Sequence, residues 1–185
     1  MSRPICRLVT VLALAAAVTA GCTPAPAAPL DPFPPRPADI DIERVDPCAT
    51  LTAEQRDALQ VGVGRPGTAP VGGATTRACG WGSLDTPFDY SVQLIPQDAS
   101  EAVGTSNAVV GTAEGYGAVQ ITDQVASYPL CELLVDANEG QLMRVRARAV
   151  ERRRADDSPY PIDEVCGQAG LLAAEVIRTL RGGTL

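Results

Sequence analysis

Four cysteines, Cys48, Cys79, Cys131 and Cys166, follow an amino terminus laid out for export, and this limits the available folds more than any other feature. Arg3 and Arg7 charge the first residues, Leu8 to Val18 is an apolar run interrupted only by Thr10, and Thr19-Ala20-Gly21 supplies small residues before Cys22. Charge, apolar run and small residues in that order make a secretory signal. Thiols that leave the cytosol are oxidised, so four of them in a chain of this length read as two disulfides. Three connectivities are open. Cys48 with Cys79 and Cys131 with Cys166 is preferred, because each bridge then joins the start of a predicted helix to a predicted strand and closes its own loop. On the chain-entropy account each contributes roughly 3–4 kcal/mol. A four-thiolate zinc site competes with this reading, but the chain has no C-x-x-C pair to support it.

The other two cysteines belong to the leader. Cys6 lies in the segment to be removed, and Cys22 stands at the cleavage point, as does the residue that receives diacylglycerol in a bacterial lipoprotein signal. The expected organisation is a signal over 1–21, a lipidated Cys22 with a proline-rich spacer over 22–45, and one globular domain over 46–185. Pro24, Pro26, Pro29, Pro32, Pro34, Pro35 and Pro37 favour extended polyproline geometry, reaching up to roughly 60 Å at about 3 Å per residue. The expected address is the outer face of the cytoplasmic membrane. Thr19 stands where such signals usually carry Leu, which makes secretion without a lipid the alternative.

Composition removes several chemistries. The chain has 15 basic against 22 acidic residues and a net charge of −7, which argues against nucleic acid and against general attraction to anionic lipid. Every basic residue is Arg. Without His or Lys there is no Ser-His-Asp or Cys-His pair, no His-containing zinc site and no Schiff base. Carboxylate or tyrosine chemistry is what remains; no cofactor, metal or enzymatic activity is expected. The run Asp39-Ile40-Asp41-Ile42-Glu43 reads as solvated acids in the spacer rather than a cation site.

The domain reads as α+β: an antiparallel sheet of about five strands, with a C-terminal amphipathic helix and shorter helices packed on one face. Thr52-Ala53-Glu54-Gln55 is a capping box opening a short helix to about Leu59. Gly62, Gly64, Pro66, Gly67, Pro70, Gly72 and Gly73 mark a long loop. Strands are predicted at Ala78–Gly82, Phe88–Ile95, Tyr116–Thr122, Leu130–Ala137 and Gln141–Val150, the last two joined by a turn at Asn138-Glu139-Gly140. Asp98 opens a weak helix ending near Gly104 to Asn107. Asp163 is the expected cap of the final helix, whose Val165, Ala169, Leu172, Ala173, Val176, Ile177 and Leu180 recur at helical spacing before Gly182-Gly183 ends it.

Asp46-Pro47-Cys48, Leu51-Thr52-Ala53-Glu54, Cys79-Gly80-Trp81 and Cys166-Gly167-x-Ala169 with Leu172 and Ala173, behind a lipidation cysteine and a proline-rich stretch, resemble the actinobacterial lipoprotein family known as domain of unknown function 3558. The resemblance covers roughly Asp46 to Leu180. It implies an envelope lipoprotein with paired cysteines in an α+β domain, and it carries no catalytic residues.

Three features are candidate sites. Arg144, Arg146 and Arg148 share one strand face and Arg152-Arg153-Arg154 follow, a pattern suited to a phosphorylated polymer or lipid head group; the preferred reading is a solvated face partnered by Glu151, Asp156, Asp157 and cross-strand acids. Trp81 faces a cleft or, preferably, packs over the neighbouring disulfide. Asp156 and Asp157 near Tyr160 read as a loop rather than paired catalytic carboxylates. The expected role is a membrane-tethered binding or accessory module for an envelope protein, polysaccharide or lipid. A small carboxylate-dependent hydrolase of envelope polymers and a purely structural envelope protein are the alternatives.

Overall fold

Strict alternation in the strands sets the architecture. The computed structural model describes residues 31–83, 85–123, 128–150, 156, 158 and 160–182. Seven strands, β1 (Arg65–Val71), β2 (Ala74–Trp81), β3 (Phe88–Ile95), β4 (Ala108–Ala113), β5 (Tyr116–Asp123), β6 (Leu130–Asn138) and β7 (Gln141–Ala149), form one antiparallel sheet in the order β1-β2-β3-β7-β6-β5-β4. Met143, Val145, Ala147 and Ala149 are buried on one face of β7, opposite Leu94, Val92, Tyr90 and Phe88 of β3. The 21-residue helix α2 (Ile162–Gly182) lies on that face and inserts Val165, Ala169, Leu172, Ala173, Val176 and Ile177, all at most 1% exposed. At about 25 cal/mol per Å² this apolar contact stabilises the fold by several kcal/mol.

Two covalent ties reinforce the same face. Cys131 of β6 is bonded to Cys166 of α2, and Cys79 of β2 to Cys48 of the 3₁₀ turn Pro47–Thr50, each with Cα atoms 5.1 Å apart. The short helix α1 (Ala53–Ala58) carries the expected capping box, with the Thr52 side chain accepting from Gln55 N and the Gln55 side chain from Thr52 N. Gln55 also donates to Glu175 O at 3.1 Å and Oε2 at 2.9 Å, so one residue caps α1 and fastens it to α2.

Five predicted strands become seven because both edge strands escaped the pattern. β1 runs through the stretch read as a glycine- and proline-rich loop, turning at Gly72 and Gly73, both with positive φ. Val71 and Ala74 flank this two-residue turn. In such a hairpin the flanking pair is hydrogen-bonded, so Pro70 and Pro66 fall where the missing N–H points away from β2. β4 follows the segment where a weak helix is expected to end, near Gly104 to Asn107, in a stretch with no predicted element; Asp98 precedes only a 3₁₀ turn, Ala99–Ala102, and its Oδ1 accepts from Gly140 N at 2.7 Å instead of capping. That turn also packs on the sheet face opposite α2, with Ile95, Val119, Leu134 and Leu142, so the short helical elements do not all share one face. The Glu139-Gly140 turn forms as expected, with Gly140 at φ 65°. Asp163 lies inside the first turn of α2, whose opening amides bond to Pro161 O.

The stretch 31–45 is packed on the sheet rather than extended as spacer, which moves the start of the globular unit from Asp46 to Asp31. Phe33 is buried beside Val119 and Leu134 on the face away from α2, and a Cβ at Gly117 would collide with its Cγ. Ile40, Ile42 and Val45 join the core on the α2 face. Between them Arg36 reaches Asp136 at 2.7 Å, Ile40 N donates to Ala137 O and Ile42 N donates to Gln141 Oε1. The segment is a strap that passes from one face to the other around the β6–β7 turn. Asp39 pairs with Arg36 at 2.9 Å, and the isoleucines of the acidic run are buried. Cys22, the rest of 1–30, Arg152-Arg153-Arg154, Glu151, Asp157 and Gly183 lie outside the described residues.

Candidate functional site

The face opposite α2 is closed at one end and open at the other. Near the β6–β7 turn, Leu142, Ile95 and Leu134 are covered by Phe33 and the Ala99–Ala102 turn. Further along β7 the same parity brings up Arg144, Arg146 and Arg148, whose side chains are 24%, 38% and 53% exposed in that order. The gradient marks where cover ends. Beyond it lies a trough of about 510 Å³ lined by Arg65, Gly80, Asp89, Ser91, Leu130, Arg146 and Arg148, with Tyr128 at its margin.

A polar seam separates the two ends. Gln93, only 5% exposed, donates to Ala69 O at 3.2 Å and to Thr76 Oγ1, and accepts from Arg144 at 3.1 Å. Glu132 Oε2 lies 3.8 Å from Arg144 Nε, while its Oε1 takes a hydrogen bond from Arg146. Arg148 is 3.5 Å from Asp89. The cross-strand acids expected for an ordinary charged face are therefore Glu132 and Asp89. The three arginines are unequal: Arg144 is a structural member of the seam, Arg146 is shared between Glu132 and the trough, and Arg148 is the most open.

Register adds a residue that sequence reasoning missed. One row across the sheet reads Arg65, Gly80, Ser91, Arg146, Glu132 on β1, β2, β3, β7 and β6. Two small residues thus form a floor between two arginines. Arg65 is exposed, and among the described residues it has no ion pair or side-chain hydrogen bond partner. The Ser91 hydroxyl likewise makes no hydrogen bond to a described residue. The signal for Arg65 was the Gly72-Gly73 turn, which sets it opposite Gly80 once the flanking residues are read as strands.

Trp81 borders the trough but is buried, and the remaining candidates fall elsewhere. Trp81 is 1% exposed beside Cys79; a Cβ on Gly64 would lie 2.7 Å from both Cys79 Sγ and Trp81 Nε1, so the indole packs with the disulfide. Asp156 Oδ1 accepts from Ser158 N at 3.0 Å, an ordinary turn contact. On the α2 side a cavity of about 530 Å³ lies between Leu59, Pro87, Tyr160 and Leu171. There the Tyr90 hydroxyl donates to Gln168 Oε1 at 2.7 Å, and burial pushes its pKa up to about 12, which keeps it neutral and unsuited to act as a base. Among the described residues no helix is long and apolar enough to cross a membrane.

Fold and trough together define a class: a mostly β domain whose antiparallel sheet is closed on one face by a C-terminal helix and two disulfides and offers a basic trough on the other. The chain belongs to the family described as a protein of unknown function (DUF3558), which matches residues 15–179. No curated protein and no solved structure matches it.

Proposed function

We propose that this protein is an exported binding module of the cell envelope, held at the outer face of the cytoplasmic membrane through lipid on Cys22, and that it binds an anionic envelope component in the trough of the open sheet face. The observation that carries the reading is the basic trough itself. Arg65, Arg146 and Arg148 face one lining carboxylate, Asp89, in a chain whose net charge is −7. Glu132, just outside the lining, is shared by Arg144 and Arg146, so the four arginines of this face still exceed its two carboxylates by two. A localised positive field on an acidic body repels few anions locally and gives poor general adhesion, which suits selective capture. The leader, Cys22 and two disulfides support the envelope address. No observation favours the hydrolase, since both acids nearest the trough are held by arginines.

Two measurements test this. Cys22→Ala should move the protein from the membrane fraction to the soluble exported fraction; persistence in the membrane would remove the lipid from the account. The native chain should retain an envelope component that an Arg65→Ala/Arg148→Ala double variant loses, and equal retention by both would refute the trough as the binding surface. Arg144 is spared, because its loss would strand the buried Gln93 Oε1.

A further inference from the structure

The donors of the trough point to a particular anion geometry. Arg65 and Arg146 stand on opposite walls, three strands apart, with Gly80 and Ser91 between them. At about 4.8 Å per strand their Cα atoms are about 14 Å apart, a span that two long side chains close from both sides over a floor without bulk. Arg148 adds a third guanidinium one step along β7, beside Asp89. The Ser91 hydroxyl, which has no hydrogen-bond partner among the described residues, supplies a donor from below. A planar carboxylate has two oxygens in one plane and is satisfied by a single guanidinium fork. Donors arriving from two walls and the floor match an oxyanion with oxygens in at least three directions.

We infer that the trough binds a phosphate monoester, its tetrahedral head seated over Gly80 and Ser91 between Arg65 and Arg146. This deepens the binding-module reading and rests on it. The lining holds three arginines against one aspartate, an excess that matches the charge of about −1.5 to −2 on a monoester at neutral pH. Leu130 and Tyr128 at the margin give the ester's organic group an apolar shoulder. A phosphorylated small solute and a phosphorylated lipid head group share this chemistry.

Calorimetric titration of the full chain in nonionic detergent decides the matter, with glycerol 3-phosphate, short-chain phosphatidic acid, short-chain phosphatidylcholine and malonate as probes. Glycerol 3-phosphate should bind saturably. Arg65→Ala and Ser91→Ala should each weaken it, the arginine by about tenfold or more, whereas Arg44→Ala, an exposed arginine outside the trough, should leave it unchanged. Phosphatidic acid binding more tightly identifies a lipid source, and equal binding a soluble one. Malonate or phosphatidylcholine binding as well as glycerol 3-phosphate overturns the inference, as does an Arg65→Ala variant with native affinity. If no phosphate binds while capture of an envelope component still depends on Arg65 and Arg148, the ligand class fails and the module stands. If capture also ignores those residues, both fail.

Discussion

Tyr90 shows how a single residue couples this fold to pH. Its ring is 4% exposed under α2 and its hydroxyl donates to Gln168, so the charged phenolate is disfavoured in the folded state and the pKa rises from 10.0 to about 12. A group with a raised folded pKa stabilises the fold fully below its unfolded value and loses that contribution as pH climbs through the folded one. Native protein should therefore lose thermal stability between about pH 10 and 12, and Tyr90→Phe should flatten that part of a melting-temperature profile. An unchanged alkaline slope in the variant would assign the loss to other groups. At this scale much was legible. The alternation of Arg144, Arg146 and Arg148 with Met143, Val145 and Ala147 was plain in the sequence, since period 2 follows directly from the pleat. Their inequality was not, because it depends on Gln93 and Glu132, which arrive from β3 and β6.

Among the elements, those with strong local signals were predicted within a residue or two: α2 from its apolar stripe, β3, β6 and β7 from alternation, α1 from its capping box. The disulfide pairing followed from placing each cysteine on its element, and the bridges join those same elements. The two missed strands are both edges. An edge strand has one neighbour, so it tolerates Pro66 and Pro70 on its open side and needs no buried stripe, as the exposed Val109 and Val110 of β4 illustrate. Glycine and proline are therefore ambiguous there, marking loops or blunted edges alike. The α1 cap makes a sharper test of element coupling. Gln55→Ala removes half of the capping box and its bonds to Glu175 and Thr179 together, and should cost about 1–3 kcal/mol in denaturant unfolding. Gln55→Glu should recover the cap but lose the amide donation to Glu175 O. A cost below that of an ordinary surface cap would mean that α1 and α2 are independent.

The strap is the feature that sequence composition hid most completely. Seven prolines argued for a free spacer, yet Asp39-Ile40-Asp41-Ile42-Glu43 alternates like a half-buried strand, and Ile40 and Ile42 are in the core. Proline content describes what a backbone cannot do; it says nothing about whether intervening side chains find a pocket. Phe33→Ala should accordingly destabilise the whole domain by about 2–4 kcal/mol, as for a core aromatic at the edge of a cluster, and a value near zero would return 31–45 to the status of linker. The strap also sets a length. With Asp31 fixed to the domain, a chain anchored at Cys22 has a leash of at most about 30 Å, at about 3.3 Å per residue. A domain of this size has a radius of gyration of about 15 Å, so the leash is roughly one body width. On the proposed lipid anchor at Cys22, the trough would sweep a thin shell above the lipid and meet its proposed ligand as a nearly two-dimensional search.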